Sequence, residues 1–171
     1  MQHEAFARKL GKSSRFLILS QWNGEWRIDI REWTLLPKNA YPTKKGVSLP
    51  LIRWEGLCNY QTEIEEAVRN KADLKEHIGG NVYAQVSKNF PNRVDLRQYF
   101  LPDGMVEPIP TKRGISLVYD EWEDMIACRE DLQNICPQLK DLTPCFMNED
   151  HQAQLGMLRC PECNPNQHGE W

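Results

Sequence analysis

The sequence predicts an α+β protein in which a unit of about four strands followed by one amphipathic helix occurs twice. Two observations indicate this class: sequence blocks recur in the same order, and the hydrophobic period changes from two to about 3.6 within each copy. The chain has 171 residues, of which 40% are hydrophobic and 26% are charged. This composition can fill a core, which excludes a wholly disordered chain.

The duplication is carried by two blocks. Ile28–Trp33 (IDIREW) returns 66 residues later as Val94–Tyr99 (VDLRQY), and Thr43–Leu49 (TKKGVSL) returns 68 residues later as Thr111–Leu117 (TKRGISL). The order of the blocks is the same in both copies, and the gaps between them match within two residues. We therefore interpret the chain as a tandem repeat.

Each first block has the pattern of a half-buried strand. Ile28 and Ile30 alternate with Asp29 and Arg31, and the second copy alternates in the same way. Gly24 is expected at the tip of a hairpin turn just before this strand.

A helix is predicted after each basic block. Trp54 and Trp122 open these helices, and at the start of an apolar stripe each is expected in the core. Apolar residues at helical spacing are Leu51, Trp54, Leu57, Cys58, Ile64 and Val68 in the first copy, and Trp122, Met125, Ile126, Leu132 and Ile135 in the second.

A strand with the pattern D-I-R-E-aromatic, then K-K/R-G-V/I-S-L, then a helix opening near a tryptophan resembles the Positive Cofactor 4 family. Members of this family are coactivators of RNA polymerase II transcription that bind single-stranded DNA. The resemblance covers residues 14–72 and 81–136. It implies a four-stranded antiparallel curved sheet followed by one helix in each copy.

The family forms homodimers from one copy per chain. We therefore expect the two copies to pack as an intramolecular pseudo-dimer, with Trp54 and Trp122 in its seam. A short linker at residues 73–80 favours this arrangement over a head-to-head dimer of two chains.

The net charge of −3 hides an uneven distribution. Residues 8–49 carry nine Lys and Arg against three acids, whereas residues 119–171 carry three against eleven. Residues 80–118 are mildly basic. The basic segments indicate a phosphate-binding face, and we expect the first copy to bind nucleic acid more strongly than the second.

The family's nucleic-acid-binding arginine corresponds to Arg31 and Arg97 in this sequence. A guanidinium group binds phosphate bidentately and stacks on bases. The alternative is a structural strand arginine paired with Glu32 or Asp95. The occurrence of the residue in both copies favours a binding role.

The family places aromatic residues for base stacking at two positions. Trp22 matches the position before the hairpin tip in the first copy, where the alternative is that it only covers the sheet edge; in the second copy Lys88 stands there, with Phe90 two residues later. The other position is matched by Phe100, but by Thr34 in the first copy. Each half is thus expected to contribute a different ring.

One basic pair precedes a glycine in each copy, and both pairs are predicted to lie in turns. They are expected to bind a sugar-phosphate backbone in a salt-dependent way, although a lone pair of this kind is often an ordinary solvated turn. These residues are Lys44 and Lys45 in the first copy, and Lys112 and Arg113 in the second.

A Cys-rich C-terminal tail at residues 137–171 has no counterpart in the family's core domain. Cys160 and Cys163 have the spacing with which two thiolates bind one tetrahedral zinc, and Cys145 and His151 lie upstream as further ligands. Cys136 or His168 are alternative ligands. Reduced structural thiols or a redox pair remain alternatives to a structural zinc.

The chain shows no sequence motif of an enzyme, such as a Walker loop or a nucleophile elbow. We predict a single-stranded DNA-binding, or RNA-binding, transcription coactivator that acts in the nucleus. Its partners would be single-stranded nucleic acid and the transcription machinery, without a membrane. The alternatives are a protein–protein scaffold that recruits a basic partner through its acidic helices, and a thiol redox protein.

No apolar stretch is long enough for a membrane helix, and the N-terminus lacks the apolar core of a signal peptide, so an intracellular protein is expected.

Overall fold

Two antiparallel sheets of four strands each organise the protein. The structure is a computed structural model that describes residues 2–148 and 154–166. In each sheet the strands lie in sequence order, so that every strand pairs with its neighbour in the chain. The first sheet contains β1 (Gln2–Leu10), β2 (Arg15–Trp22), β3 (Glu25–Leu35) and β4 (Ala40–Pro50). The second contains β5 (Leu74–Gly79), β6 (Val82–Ser87), β7 (Phe90–Phe100) and β8 (Ile109–Val118).

Helices follow each sheet, which confirms the predicted fold class. They are α1 (Leu51–Asn59) and α2 (Gln61–Arg69) after the first sheet, and α3 (Tyr119–Ala127) and α4 (Arg129–Ile135) after the second. The tail adds two 3₁₀ turns, Pro137–Lys140 and Cys145–Met147, and the short helix α5 (Gln154–Arg159). None of the helices in the described ranges is long and apolar enough to span a membrane.

The single helix predicted for each copy is two short helices. The break lies at Tyr60 in the first copy and at Cys128 in the second, which are equivalent positions. At each break the backbone N–H bonds to the carbonyl three residues back, at 3.1 Å to Leu57 and 3.1 Å to Met125. This tight turn ends one helix and redirects the next, and apolar spacing alone does not reveal it.

The sheets extend beyond the predicted repeat boundaries. The first sheet begins at Gln2 rather than near residue 14, and residues 73–80, predicted as a linker, contain β5. Both strands missed by sequence reasoning are edge strands, and most of their positions are exposed or half-buried. Such strands lack the clear apolar alternation of a central strand.

The predicted alternation holds in the central strands. Ile28 and Ile30 are fully buried, and so are Val94 and Leu96 in the second sheet. The hairpin turn before β3 has Gly24 at its tip, where φ is +84°. Each sheet therefore has an inner apolar face and an outer polar face.

The helices of one copy pack on strands of the other copy as well as on their own. Helix α1 contacts β5, α2 contacts β6 and β7, and α3 contacts β1. Strands β4 and β8 lie side by side where the two sheets meet. Trp54 and Trp122 are both fully buried in the single core that results. The two halves thus form an intramolecular pseudo-dimer, because each sheet covers its inner face with helices from both copies.

A β-bulge distorts the long hairpin of each sheet at the same place. In β3–β4, Arg31 pairs with Gly46 but Trp33 pairs with Pro42, so β4 contains two extra residues. A Cβ atom at Gly46 would lie 2.5 Å from the Ile30 carbonyl oxygen, and one at Gly114 would lie 2.7 Å from Arg97 Cζ. Glycine is required at Gly46 because the backbone of the neighbouring strand passes directly against it, whereas Gly114 leaves room for the Arg97 side chain that crosses over it.

Candidate nucleic-acid interface

Arg31 is held in one orientation on the outer face of the first sheet. Its Nε and Nη2 donate hydrogen bonds of 3.1–3.2 Å to the Asp29 carboxylate, and its Nη1 donates one of 2.7 Å to the Thr43 carbonyl. These contacts engage three of the five N–H donors of the guanidinium. The salt-bridge partner is therefore Asp29 and not Glu32.

Arg97 repeats the same arrangement in the second sheet. Its Nε and Nη2 donate to Asp95 at 3.0 and 2.9 Å, and its Nη1 donates to the Thr111 carbonyl at 2.8 Å. The side-chain hydrogen bond to Asp95 raises the pKa of Arg97, so the group stays charged. The ion pair of Arg97 with Asp95, which is the structural alternative to a binding role, is therefore present. It leaves the guanidinium group at the surface of the outer face.

Each outer face carries an aromatic pair beside its arginine. The rings of Phe16 and Trp33 meet edge to face with centroids 6.5 Å apart, and those of Tyr83 and Tyr99 lie 4.5 Å apart. The Lys75 ammonium lies 4.5 Å from the Tyr99 centroid, within range of a cation–π interaction. Sequence reasoning missed these four rings as site residues, although Trp33 and Tyr99 follow Arg31 and Arg97 by two residues and so share their face.

Equivalent residues line one hollow on each outer face. We call these the first and second outer hollows; their volumes are about 540 and 430 Å³. Each contains an arginine paired with an aspartate two residues earlier, which we call the arginine anchor, and the aromatic residue two positions after that arginine. The shared pairs are Arg27 and Arg93, Asp29 and Asp95, Arg31 and Arg97, Trp33 and Tyr99, Pro42 and Pro110, and Ser48 and Ser116.

An exposed ring lies at the hairpin end of each hollow. Trp22 is 54% exposed at the end of β2, and Phe90 is 66% exposed at the start of β7. Lys88 lies in the turn before Phe90, exposed, with its backbone N–H bonded to Asp73. The two rings come from opposite strands of their hairpins, which is why Phe90 does not align with Trp22 in sequence.

Phe100 is also exposed, at 57%, but it follows Tyr99 directly in β7. Because successive strand side chains point to opposite faces, Phe100 does not share the face of Arg97 and Tyr99. It is not among the residues that line the second outer hollow.

A basic groove lies between the two sheets. Strands β4 and β8 form its walls, and its volume is about 580 Å³. Its described lining residues include no carboxylate, and the basic ones are Arg31, Lys44, Lys112 and Arg113. We call this the inter-sheet groove. It brings basic residues of both copies onto one surface.

The basic pairs lie in strands rather than in the predicted turns. Lys44 and Lys45 belong to β4, and Lys112 and Arg113 belong to β8, in both cases at the bulge. All four side chains are exposed. Lys45 approaches the Glu32 carboxylate at 3.7 Å. The bulge turns these side chains outward, because the extra residues of the bulged strand have no partner across the hairpin.

Three cysteines of the tail lie together. The sulfur atoms of Cys145, Cys160 and Cys163 are all within 4.8 Å of one another, and Cys145 and Cys160 are 3.4 Å apart. Three thiolates on one tetrahedral zinc would lie about 3.8 Å apart, given Zn–S bonds of about 2.3 Å. His151 and His168 lie outside the described residues, and Cys136 is buried after α4 and not part of this cluster.

The turn from Cys160 to Cys163 favours a thiolate at Cys160, whereas burial raises the pKa of Cys163 to about 11. Burial acts to raise the pKa of Cys160, but hydrogen bonds from the backbone N–H groups of Cys163 and Glu162 and from the Cys145 thiol outweigh it, and the pKa falls below its usual value. Backbone amides directed at a sulfur stabilise negative charge on it. The cluster therefore has the geometry and the donor set of a site for a soft divalent metal ion.

Comparison with known proteins supports the resemblance for the first half of the chain. Residues 9–60 match the model of the transcriptional coactivator p15 (PC4) family. This segment, which is less than half of the chain, is similar to the members of that family. The RNA polymerase II transcriptional coactivator KIWI of Arabidopsis thaliana is 38% identical to this chain over 55 residues. The aligned part is 32% of this chain and 51% of KIWI, so the chain spans about half the length of the curated relative that it matches.

The PC4 match contains one complete set of the outer-face and groove residues. It covers β2, β3, β4 and α1, and with them Trp22, Arg31, Lys44 and Lys45. The second sheet repeats these elements and the arginine anchor, although the match does not extend to it. The cysteine cluster lies beyond the matched residues. The PC4 family is one of transcriptional coactivators and not a known class of enzymes.

Proposed function

We propose that this protein is a nuclear transcriptional coactivator that binds single-stranded DNA through both halves of its pseudo-dimer. The observation that carries the proposal is the inter-sheet groove, which is basic on both walls and shares Arg31 and Ser48 with the first outer hollow. The similarity of residues 9–60 to the PC4 family supports the same function. In this proposal each half is a copy of that family's domain.

Phosphates would bind in the inter-sheet groove and bases on the outer faces. Lys44, Lys112 and Arg113 offer exposed positive charge, while Arg31 and Arg97 retain N–H donors beyond those that their aspartates engage. Bases would stack on the exposed rings at the hairpin ends of the hollows. Neither interaction reads the edges of bases, so we expect little sequence preference. Phe100, Lys45 and Lys88 remain predicted contacts.

The first test measures the salt dependence of binding. The triple variant Lys44→Gln/Lys112→Gln/Arg113→Gln is expected to bind labelled single-stranded DNA about 10- to 50-fold more weakly at physiological salt. Its slope of log affinity against log salt should fall by up to about 2, since each lost phosphate contact removes about 0.7. Fluorescence anisotropy across a salt series, with duplex of the same sequence as competitor, measures both quantities.

The matched control is Lys140→Gln. Lys140 is exposed in the 3₁₀ turn after α4 and does not line the groove, so its loss should leave affinity and slope unchanged. Equal effects of the control and the triple variant would contradict the proposed interface.

The unequal charge of the two copies allows a second comparison. Neutralising Arg31, Lys44 and Lys45 should weaken binding of single-stranded DNA more than neutralising Arg97, Lys112 and Arg113. Two double variants, one that neutralises Lys44 and Lys45 and one that neutralises Lys112 and Arg113, repeat this comparison while Arg31 and Arg97 are left unchanged.

A scaffold function is the second candidate, and an acidic surface favours it. The hollow between the β1–β2 turn and α3 has a volume of about 980 Å³. Four carboxylates and the ammonium group of Lys12 line it; Glu121 is buried and paired with Arg15, which leaves Asp120, Glu123 and Asp124 exposed. A basic partner would fit this surface. Failure of the protein to bind single-stranded DNA even at low salt would favour this function over nucleic-acid binding.

For the tail we propose that Cys145, Cys160 and Cys163 hold a structural zinc ion. The proximity of the three sulfurs supports this choice over a thiol redox pair, because thiolates of this spacing match tetrahedral zinc. We keep His151 as the predicted fourth ligand. Elemental analysis of the reduced full chain should find one tightly held zinc per molecule. A metal-free chain with three reactive thiols would favour the redox function instead.

A further inference from the structure

The end of the tail is fastened to the first copy by a charge pair. Glu162, in the turn between Cys160 and Cys163, accepts two hydrogen bonds from Arg53 of α1: from Nε at 2.6 Å and from Nη2 at 2.8 Å. Both side chains are largely shielded from solvent, with 14% and 21% exposure. A bidentate pair of this kind fixes orientation as well as position.

The same turn is also fastened to the second copy. The Gly80 backbone N–H donates to the Glu162 carbonyl at 2.9 Å, and the side-chain amides of Asn81 and Asn166 exchange two hydrogen bonds of 2.9 and 3.0 Å. Gly79 and Gly80 leave the space that this contact needs: a side chain at Gly79 would overlap the Glu162 carboxylate. The segment 160–166, which we call the clasp, therefore touches both halves of the pseudo-dimer.

The clasp lies at the contact of α1 with the β5–β6 turn, and the equivalent contact in the other half of the pseudo-dimer, that of α3 with the β1–β2 turn, shows what the clasp replaces. There the β1–β2 turn meets α3 directly: Gly11 lies against Glu121, and Arg15 of β2 forms an ion pair with that carboxylate at 2.8 Å. Arg53 is the counterpart of Glu121 in the first copy, 68 residues earlier, and has the opposite charge. The second copy offers Arg53 no carboxylate of its own at this position. Glu162 of the clasp supplies it.

The cysteine cluster joins the clasp to a second anchor. Phe146, next to Cys145, stacks on Tyr60 at the break between α1 and α2, with centroids 5.9 Å apart. Cys160 and Cys163 belong to the clasp itself. An ion bound to the three sulfurs would tie these two pieces of chain together. The tail has little apolar core of its own, so such an ion would contribute much of its folding energy.

We propose that the clasp is a metal-dependent lock between the two halves of the pseudo-dimer, closed when Zn²⁺ occupies the cysteine cluster and Glu162 pairs with Arg53. The lock rests on the proposed zinc site. It acts at the contact of α1 with the β5–β6 turn. The opposite contact, between α3 and the β1–β2 turn, is held by Arg15 and Glu121 without the tail.

Hydrogen–deuterium exchange of the reduced full chain tests the lock, with zinc bound and after removal of zinc by a chelator. The Gly80 amide is the direct reporter, because its hydrogen bond is made to the clasp. Zinc removal is expected to speed exchange at residues 79–81 by about tenfold or more, as for loss of a well-ordered hydrogen bond. Exchange at the β1–β2 turn and in α3 should not change. The proposal would be overturned if zinc removal sped exchange equally at residues 79–81 and at the β1–β2 turn and α3, or if it did not speed exchange at residues 79–81.

The variant Glu162→Gln separates the lock from the metal site. It keeps all three thiols, so the zinc content of the protein should stay at the level of the unmodified chain, while exchange at residues 79–81 rises. The variant Cys160→Ser should lose zinc and show the same rise. If the unmodified protein contains no zinc, both the proposed zinc site and the metal dependence of the lock are wrong. A zinc-loaded Glu162→Gln protein with unchanged exchange would reject the lock and leave the zinc site intact.

Discussion

Replacing Trp122 by alanine is expected to lower the free energy of unfolding by about 3–5 kcal/mol, the usual cost of removing a buried tryptophan. Trp122 has no exposed surface, and it lies in the core that the two halves share. Its indole N–H also donates to Glu65 of α2 at 3.3 Å, so the side chain links helices of both copies. Trp54→Ala should cost a similar amount, because Trp54 is the equivalent residue and equally buried. Urea denaturation followed by circular dichroism measures both changes.

The control for this experiment is Trp22→Ala. Trp22 is 54% exposed, so its removal should change stability by no more than about 0.5 kcal/mol. A two-state transition in all three variants would show that the halves unfold as one unit. A loss below about 1 kcal/mol for Trp122→Ala would contradict the shared core.

Replacing Trp22 and Phe90 together by alanine is expected to cause the largest loss of single-stranded DNA affinity that leaves the charge of the protein unchanged. Base stacking on an aromatic ring contributes about 1–3 kcal/mol, which is roughly 5- to 150-fold in affinity for each ring. The two rings are exposed, and each lines the hairpin end of one of the two outer hollows. Anisotropy titrations of both single variants and of the double variant measure the loss.

The salt series distinguishes stacking from phosphate binding. Loss of a ring releases no counterions, so the double variant should bind more weakly at every salt concentration with the slope unchanged. Phe100→Ala is the informative comparison, since Phe100 is as exposed as Trp22 but lies on the strand face opposite to Tyr99. A larger effect from Phe100 than from Phe90 would move the stacking surface to the other side of the second sheet.

Much of the fold was predictable because its signals are local. The alternation of Ile28 and Ile30 with charged residues identified the central strands, and the recurrence of the same blocks identified two copies. The edge strands β1 and β5 were missed because a strand at a border buries few of its side chains. The breaks at Tyr60 and Cys128 were missed because one tight turn hardly disturbs a helical period over so short a stretch.

The candidate site was predictable in its residue types and less so in its geometry. The basic pairs were identified but assigned to turns, since a bulge in a strand and a turn have the same sequence signature of a glycine beside charged residues. Phe100 stays a prediction, but Trp33 and Tyr99, which line the outer hollows beside Arg31 and Arg97, were not named from the sequence. Counting by two from the arginine anchors would have found them.

The sequence by itself determined the α+β class, the recurrence of two sequence blocks, the basic first half and the cysteines that meet in the tail. Each of these is encoded in periodicity, spacing or composition, which are properties of neighbouring residues. Only the tertiary structure decided which distant residues meet: those of the two copies at the inter-sheet groove and in the pair Arg15–Glu121, and those of the first copy and the tail in the pair Arg53–Glu162. Those contacts join residues 100 or more positions apart or opposite walls of one groove. Their formation depends on how two sheets bury a common core, which no local pattern specifies.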